Sequence, residues 1–190
     1  MIIRPARPAD VDVIMAWRRE RAAWLAGRGE DQWSIPLPRS AVEATVAAGQ
    51  TWMAWDGSAP AATITLTGYA AAGGLWKPDV DPEPLWYPED DPADALYAAK
   101  MMVPLERAGY GLGDDLLDWA GGRTWEAGLT WIRLDAWTGN ERLHAFYLRR
   151  GFAHVRTVAS RVSGACFQRR SGPYRGRFSP SPAGPGPRTA

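Results

Sequence analysis

The chain has 190 residues, enough for one domain with a sizeable core, and its 46% hydrophobic and 23% charged residues are ordinary for a soluble globular protein. Its formal net charge of +1 gives no bulk attraction to nucleic acid or to an anionic membrane, and no apolar run reaches the length needed to cross a bilayer. Cys166 is the one cysteine, so no internal disulfide can form, which fits a reducing cytoplasm.

In chain order, the pattern predicts a short strand over residues 1–4. Pro8-Ala9-Asp10 then opens a helix, with Val13, Ile14, Trp17, Ala22 and Leu25 at helical spacing and Gly27-Arg28-Gly29 at its end. Ser40 is placed to cap a second helix over residues 41–48. Residues 51–55 and 61–67 read as a β-hairpin turned by Asp56-Gly57-Ser58. Thr63, Thr65 and Thr67 alternate with Ile64 and Leu66, which predicts one wet face.

Prolines at 78, 82, 84, 88 and 92 make residues 73–92 a loop. It carries Asp79, Asp81, Glu83, Glu89, Asp90 and Asp91 among Trp76, Trp86 and Tyr87, and reads either as a functional loop or as a solvated insertion. A strand over 96–103, a helix over 111–125, a strand over 131–137 and a helix over 140–150 closed by Gly151 come next. Residues 152–158 and 165–168 are closing strands. Residues 171–190, rich in Pro, Gly, Ser and Arg, read as a disordered tail behind a domain of residues 1–170. The order describes an α+β domain with a mixed sheet.

The chemistry concentrates in the centre. Ala108-Gly109-Tyr110-Gly111-Leu112-Gly113 joins a strand to a helix. Such a turn frees backbone N–H groups to hold phosphate oxygens in front of the positive end of a helix dipole. Asn140, Phe146-Tyr147 and Gly151-Phe152 come next and put an amide and a phenol on one helix. Together they suggest a nucleotide-type cofactor and a reaction that needs a weak proton donor.

From residues 96 to 152 this order resembles the signature region of the GCN5-related N-acetyltransferases (GNAT family), and the wider likeness runs from Ile2 to Arg169. The resemblance implies a mostly antiparallel central sheet flanked by helices in a three-layer α/β/α arrangement. It implies an acyltransferase that uses acetyl-CoA, with direct transfer of the acetyl group to an amine. Met101, Met102 and Val103 would then pair with the pantetheine arm. Gly109, Tyr110, Gly111, Leu112, Gly113 and Asp114 would hold the pyrophosphate, and Asn140 and Tyr147 would also contact the cofactor. Where the family has Gln or Arg at the start of its turn, this chain has Ala108, with Arg107 one residue early. Asp114 and Asp115 stand where they would oppose a pyrophosphate, so their side chains are expected to point to solvent.

Attack on a thioester needs a neutral amine, and a free alkylamine is mostly protonated at pH 7, so a base is required. Asp135, on a strand face shared with Arg133 and Trp137, is either that base, directly or through a water, or the partner of Arg133 or another arginine in an ion pair. Glu83, Glu89, Asp90 and Asp91 in the loop are the other candidates for the base or for recognising a cationic substrate. Tyr147 is placed to donate to the departing thiolate. The alternative is a packing role beside Phe146 and Phe152. Asn140 also suits a helix N-cap, a role compatible with cofactor contact. Gln32, Trp33, Trp86 and Trp137 are candidate substrate contacts. His144 and His154 make no metal site, and Cys166 reads as a small buried hydrophobe. The expected partner is a small-molecule amine, with no nucleic acid or membrane, acting on a monomer or homodimer. A non-catalytic acyl-CoA-binding module and a protein or peptide acetyltransferase are the competing readings.

Overall fold

A computed structural model describes residues 1–69 and 83–180. Among them are eight strands and four α-helices: β1 (Ile2–Pro5), α1 (Val11–Ala26), α2 (Arg39–Ala47), β2 (Thr51–Asp56), β3 (Ala59–Gly68), β4 (Ala95–Met102), α3 (Leu112–Glu126), β5 (Trp131–Ala136), α4 (Glu141–Leu148), β6 (Ala153–Thr157), β7 (Ala165–Arg170) and β8 (Ser179–Pro180). Strand pairing is mostly antiparallel, with parallel pairs at β1–β8 and β4–β5. This is the mixed α+β architecture expected from the sequence.

The chain divides into two compact units. The first comprises Met1–Leu66, Lys100–Leu117 and the chain from Arg175. In it, β2 pairs with both β1 and β3, and the β2–β3 hairpin closes with Asp56 opposite Ala59. Gly57 in that turn has φ +59°, a conformation in which a side chain is strained. Val11, Ile14, Val42 and Val46 from the two helices bury against Met53 and Met102.

Two expectations fail here for physical reasons. The helix-capping role given to Ser40 fails because α2 starts earlier, at Arg39 behind Pro38, leaving Ser40 inside the helix. The threonine face of β3 is dry: Thr63, Thr65 and Thr67 are all buried. Thr63 Oγ1 donates to the Trp52 carbonyl at 2.9 Å, and the Thr51 and Thr65 hydroxyls meet at 3.1 Å, so burial leaves these polar atoms bonded.

The tail also behaves differently through residue 180. β8 pairs with β1 in parallel, Ser179 N–H donates to the Met1 carbonyl at 3.0 Å, and Phe178 is 4% exposed. One aromatic and two backbone pairings anchor a segment whose composition reads as disordered. Residues 181–190 lie outside the described residues.

The second unit comprises Thr67–Ala99 and Asp118–Tyr174. β7 pairs with β6 and with β5, whose whole length is matched from Trp131–Arg170 to Ala136–Ala165. On its other side β5 pairs with β4 only over Ala95–Tyr97, although β5 continues to Ala136. Trp86, Ala95, Tyr97 and Cys166 form a core cluster in this unit.

Candidate functional site

The glycine turn lies in the first unit. Met101 and Met102 end β4, Val103 and a short 3-10 turn over Leu105–Arg107 follow, and α3 begins at Leu112. Gly109 and Gly111 have φ of +86° and +77°. A side chain is disfavoured at both, which accounts for two of the three glycines; Gly113 lies in the first turn of α3. Asp114 and Asp115 N–H both reach the Gly111 carbonyl at 3.1 Å. The amides of Gly109, Tyr110, Gly111, Leu112 and Gly113 have no acceptor among the described residues. Free amides at a helix N-terminus are the hydrogen-bonding complement of an anion. A side chain at Gly109 would meet nothing within 4 Å, so the turn also opens onto free space. The residues present thus fit a diphosphate-bearing cofactor.

β4 contributes a second feature. Lys100 has φ +50°, a conformation rare outside glycine, immediately before Met101 and Met102. The Val103 carbonyl accepts a hydrogen bond from Arg21 Nη2. Arg107 is occupied by Asp56, 3.0 Å from its Nη1. The two acids after the glycines do not simply face solvent as expected. Asp115 Oδ2 lies 2.7 Å from Arg177 Nε, and its side chain is 18% exposed. Arg177 Nη1 also donates to the Tyr110 carbonyl at 3.3 Å. Arg177 was hidden from sequence reasoning by the composition of the segment around it. Gln32 and Trp33, also in this unit, sit in the loop after α1. Arg18 stacks 4.4 Å from the centre of the Trp33 ring and donates to its carbonyl, and burial lowers the Arg18 pKa to about 10.

The second unit holds the ionisable groups singled out for chemistry. Asp135 on β5 accepts a hydrogen bond from Ser163 Oγ at 2.5 Å and stands opposite Cys166 in the β5–β7 register. Ser163 carried no sequence signal, because the two residues are 28 positions apart. Arg133 makes its bonds to groups other than Asp135. It is 1% exposed and donates to the Asp90 and Asp91 carbonyls and to Gln168 Oε1, with its guanidinium 4.5 Å from the Trp86 ring centre. Trp86 is itself 6% exposed, with Tyr97 edge-on at 6.1 Å.

Tyr147 on α4 is 8% exposed and packs edge-on against Phe146 and Phe152, with Phe167 at 5.6 Å. Burial first, and the nearby Asp135 charge second, push its phenol pKa well above the ordinary value. Tyr147 therefore combines the packing contacts with a phenol that stays protonated. Asn140 caps α4: its Oδ1 accepts from Leu143 N–H at 2.9 Å. Trp137, half-buried, accepts from His144 Nε2 at 2.9 Å through its carbonyl. His144 and His154 both lie against the Phe167 ring. Cys166 is fully buried, and burial pushes its thiol up to about 12, which removes it as a nucleophile at neutral pH.

The acidic loop is described from residue 83. Asp90 forms an ion pair with Arg156 and accepts from Tyr87 N–H, and the Arg156 hydrogen bond holds its carboxyl below the usual range. Glu83 accepts from the Tyr87 hydroxyl at 2.7 Å. Trp76, Asp79 and Asp81 lie outside the described residues. Among the described residues no group of three His, Cys, Asp or Glu could hold a metal ion, and no helix is long and apolar enough to cross a membrane.

No protein-family model matches the chain. It is 29% identical over 164 residues to the uncharacterized N-acetyltransferase YesJ of Bacillus subtilis, covering 82% of this chain and 83% of that protein. Among solved structures it matches a GNAT-family acetyltransferase of Listeria monocytogenes at TM-score 0.66 and 23% identity, over 89% of this chain and 94% of that one. It also matches the PaiA N-acetyltransferase of Thermoplasma acidophilum in complex with coenzyme A at TM-score 0.63 and 16% identity, over 88% and 97% of the two chains. The resemblance read from the glycine turn, Asn140 and Tyr147 thus extends to the fold of nearly the whole chain.

Proposed function

We propose that this chain, which has the GNAT fold, is an acetyl-CoA-dependent N-acetyltransferase that acetylates the amine of a small molecule. The observation that carries the reading is the run of acceptor-free amides from Gly109 to Gly113 at the start of α3, in the connection from β4 to that helix. Gly109, Tyr110, Gly111, Leu112, Gly113 and Asp114 would hold the diphosphate. Met101, Met102 and Val103 would align the extended pantetheine arm, as a sheet edge aligns an added strand. β4 leaves β5 after Tyr97, which supports such a pairing. Asn140, while capping α4, and Tyr147 are the other cofactor contacts, and Gln32, Trp33, Trp86 and Trp137 remain candidate acceptor contacts.

Bound acetyl-CoA supplies an activated thioester carbonyl and a thiolate leaving group. Asp135 takes a proton from the substrate ammonium before attack, or from the amine nitrogen as it bonds to the carbonyl carbon, directly or through a water, and Ser163 Oγ fixes the orientation of that carboxylate. Tyr147 offers its phenol hydrogen to the departing sulfur. Its raised pKa keeps the phenol protonated, so it is available as a hydrogen-bond donor or general acid. Buried Cys166 gives no support to a covalent acyl-enzyme. The test is thiol release from acetyl-CoA across a panel of small amines and N-terminal peptides, followed by mass detection of the product. Turnover with small amines and none with peptides is expected. Coenzyme A binding without turnover of any amine would contradict the enzymatic reading.

A further inference from the structure

We infer that Arg177 is a positioning residue for the glycine turn: it neutralises Asp115 so that an anion can share the start of α3. The inference rests on the acetyl-CoA reading above. An acid in the first helical turn is favoured by the helix dipole, but the same end of the helix attracts a bound phosphate. Asp115 and a diphosphate would therefore compete for one positive field and repel each other. A cation on Asp115 removes the conflict.

The geometry is specific. Arg177 Nε lies 2.7 Å from Asp115 Oδ2, and its Nη1 donates to the Tyr110 carbonyl. Its Nη2 would be 3.4 Å from a Cβ added at Gly111. The guanidinium thus meets both the first turn of α3, at Asp115, and the glycine turn, at the Tyr110 carbonyl, without using the free amides. Its backbone is fixed too. The Met1 ammonium reaches the Arg177 carbonyl at 3.4 Å, Phe178 is buried next in sequence, and β8 pairs with β1. Arg177 and Arg107 both line a cavity of about 470 Å³ that also meets Tyr110 and Leu112. Arg107 is engaged by Asp56, and position 108 is alanine, so the compensating cation comes from the segment after β7.

The test is calorimetric titration of coenzyme A into the full chain and its Arg177→Gln, Asp115→Asn and double variants, with melting curves to confirm folding. Arg177→Gln should bind about fivefold more weakly, a modest change because the pair is partly solvated. Adding Asp115→Asn to it should restore affinity to that of the wild-type chain. Asp115→Asn alone should bind at least as tightly as wild type, a result that stands even if Arg177→Gln folds poorly. Unchanged affinity in Arg177→Gln, failure of rescue in the double variant, or weaker binding by Asp115→Asn would each overturn the inference while leaving the cofactor reading intact. Absence of coenzyme A binding by the wild-type chain would instead remove the reading on which it rests.

Discussion

The two compact units use their polar groups in opposite ways. In the first, the atoms proposed to hold the cofactor are backbone amides on an open turn, beside a Tyr110 that is 71% exposed. In the second, ionisable side chains are held inside: Arg133 is 1% exposed and Tyr147 8%. A backbone site can be changed only through the conformation of the chain, whereas a buried side chain can be removed outright at the cost of its burial and its bonds. Substitutions should therefore act on cofactor affinity in the first unit, and on stability or turnover in the second.

The largest effect should come from Arg133→Ala. It strands the Asp90 and Asp91 carbonyls and uncovers Trp86, so a loss of about 3–5 kcal/mol in urea unfolding is expected. A loss below about 1 kcal/mol would show that this interior is wetter than its geometry indicates. Tyr147→Phe comes next. It keeps the ring contacts with Phe146, Phe152 and Phe167, so the melting temperature should hold while kcat falls about a hundredfold. Full turnover in that variant would confine Tyr147 to packing.

Gly111→Ala should sharpen the contrast from the other side. A side chain at φ +77°, 3.4 Å from Arg177, should weaken coenzyme A binding about tenfold with kcat at saturation unchanged. A fall in kcat at unchanged affinity would invert the assignment of roles.

Acid and alkali should give the smallest effects, both from the second unit. Arg156 holds Asp90 below its unfolded pKa, so the pair's contribution is present above the usual carboxylate range and is lost as pH falls through the depressed value. Asp90→Asn should flatten that part of the stability profile. Cys166 and Tyr147 have raised values, so the unfolded chain releases their protons first. Stability should fall as pH rises from about 9 towards 12 for Cys166, and Cys166→Ala should blunt that fall. Profiles identical to wild type would mean that these groups are not buried in solution.

The sequence made the glycine turn, the Asn140 helix and the order of the strands legible, because each is written in local spacing. The pairs that complete the candidate site are long-range. Ser163 with Asp135, Arg156 with Asp90 and Arg177 with Asp115 are separated by 28, 66 and 62 positions, the last being 177 minus 115. No periodicity announces such partners. The threonines of β3 misled because alternation identifies two faces but not whether either is wet. The segment before residue 180 misled because Phe178 is a single aromatic among polar residues, and its anchorage depends on an edge of β1 far away in the chain.

The central claim is that the amides of the glycine turn hold the cofactor's diphosphate, and amide NMR on addition of coenzyme A tests it most directly. Saturable shifts of the Gly109, Gly111 and Gly113 resonances are the expected result, with those of Gly109 and Gly113 needing about tenfold more coenzyme A in Gly111→Ala. Saturable binding of coenzyme A that leaves those three resonances unmoved would contradict the account.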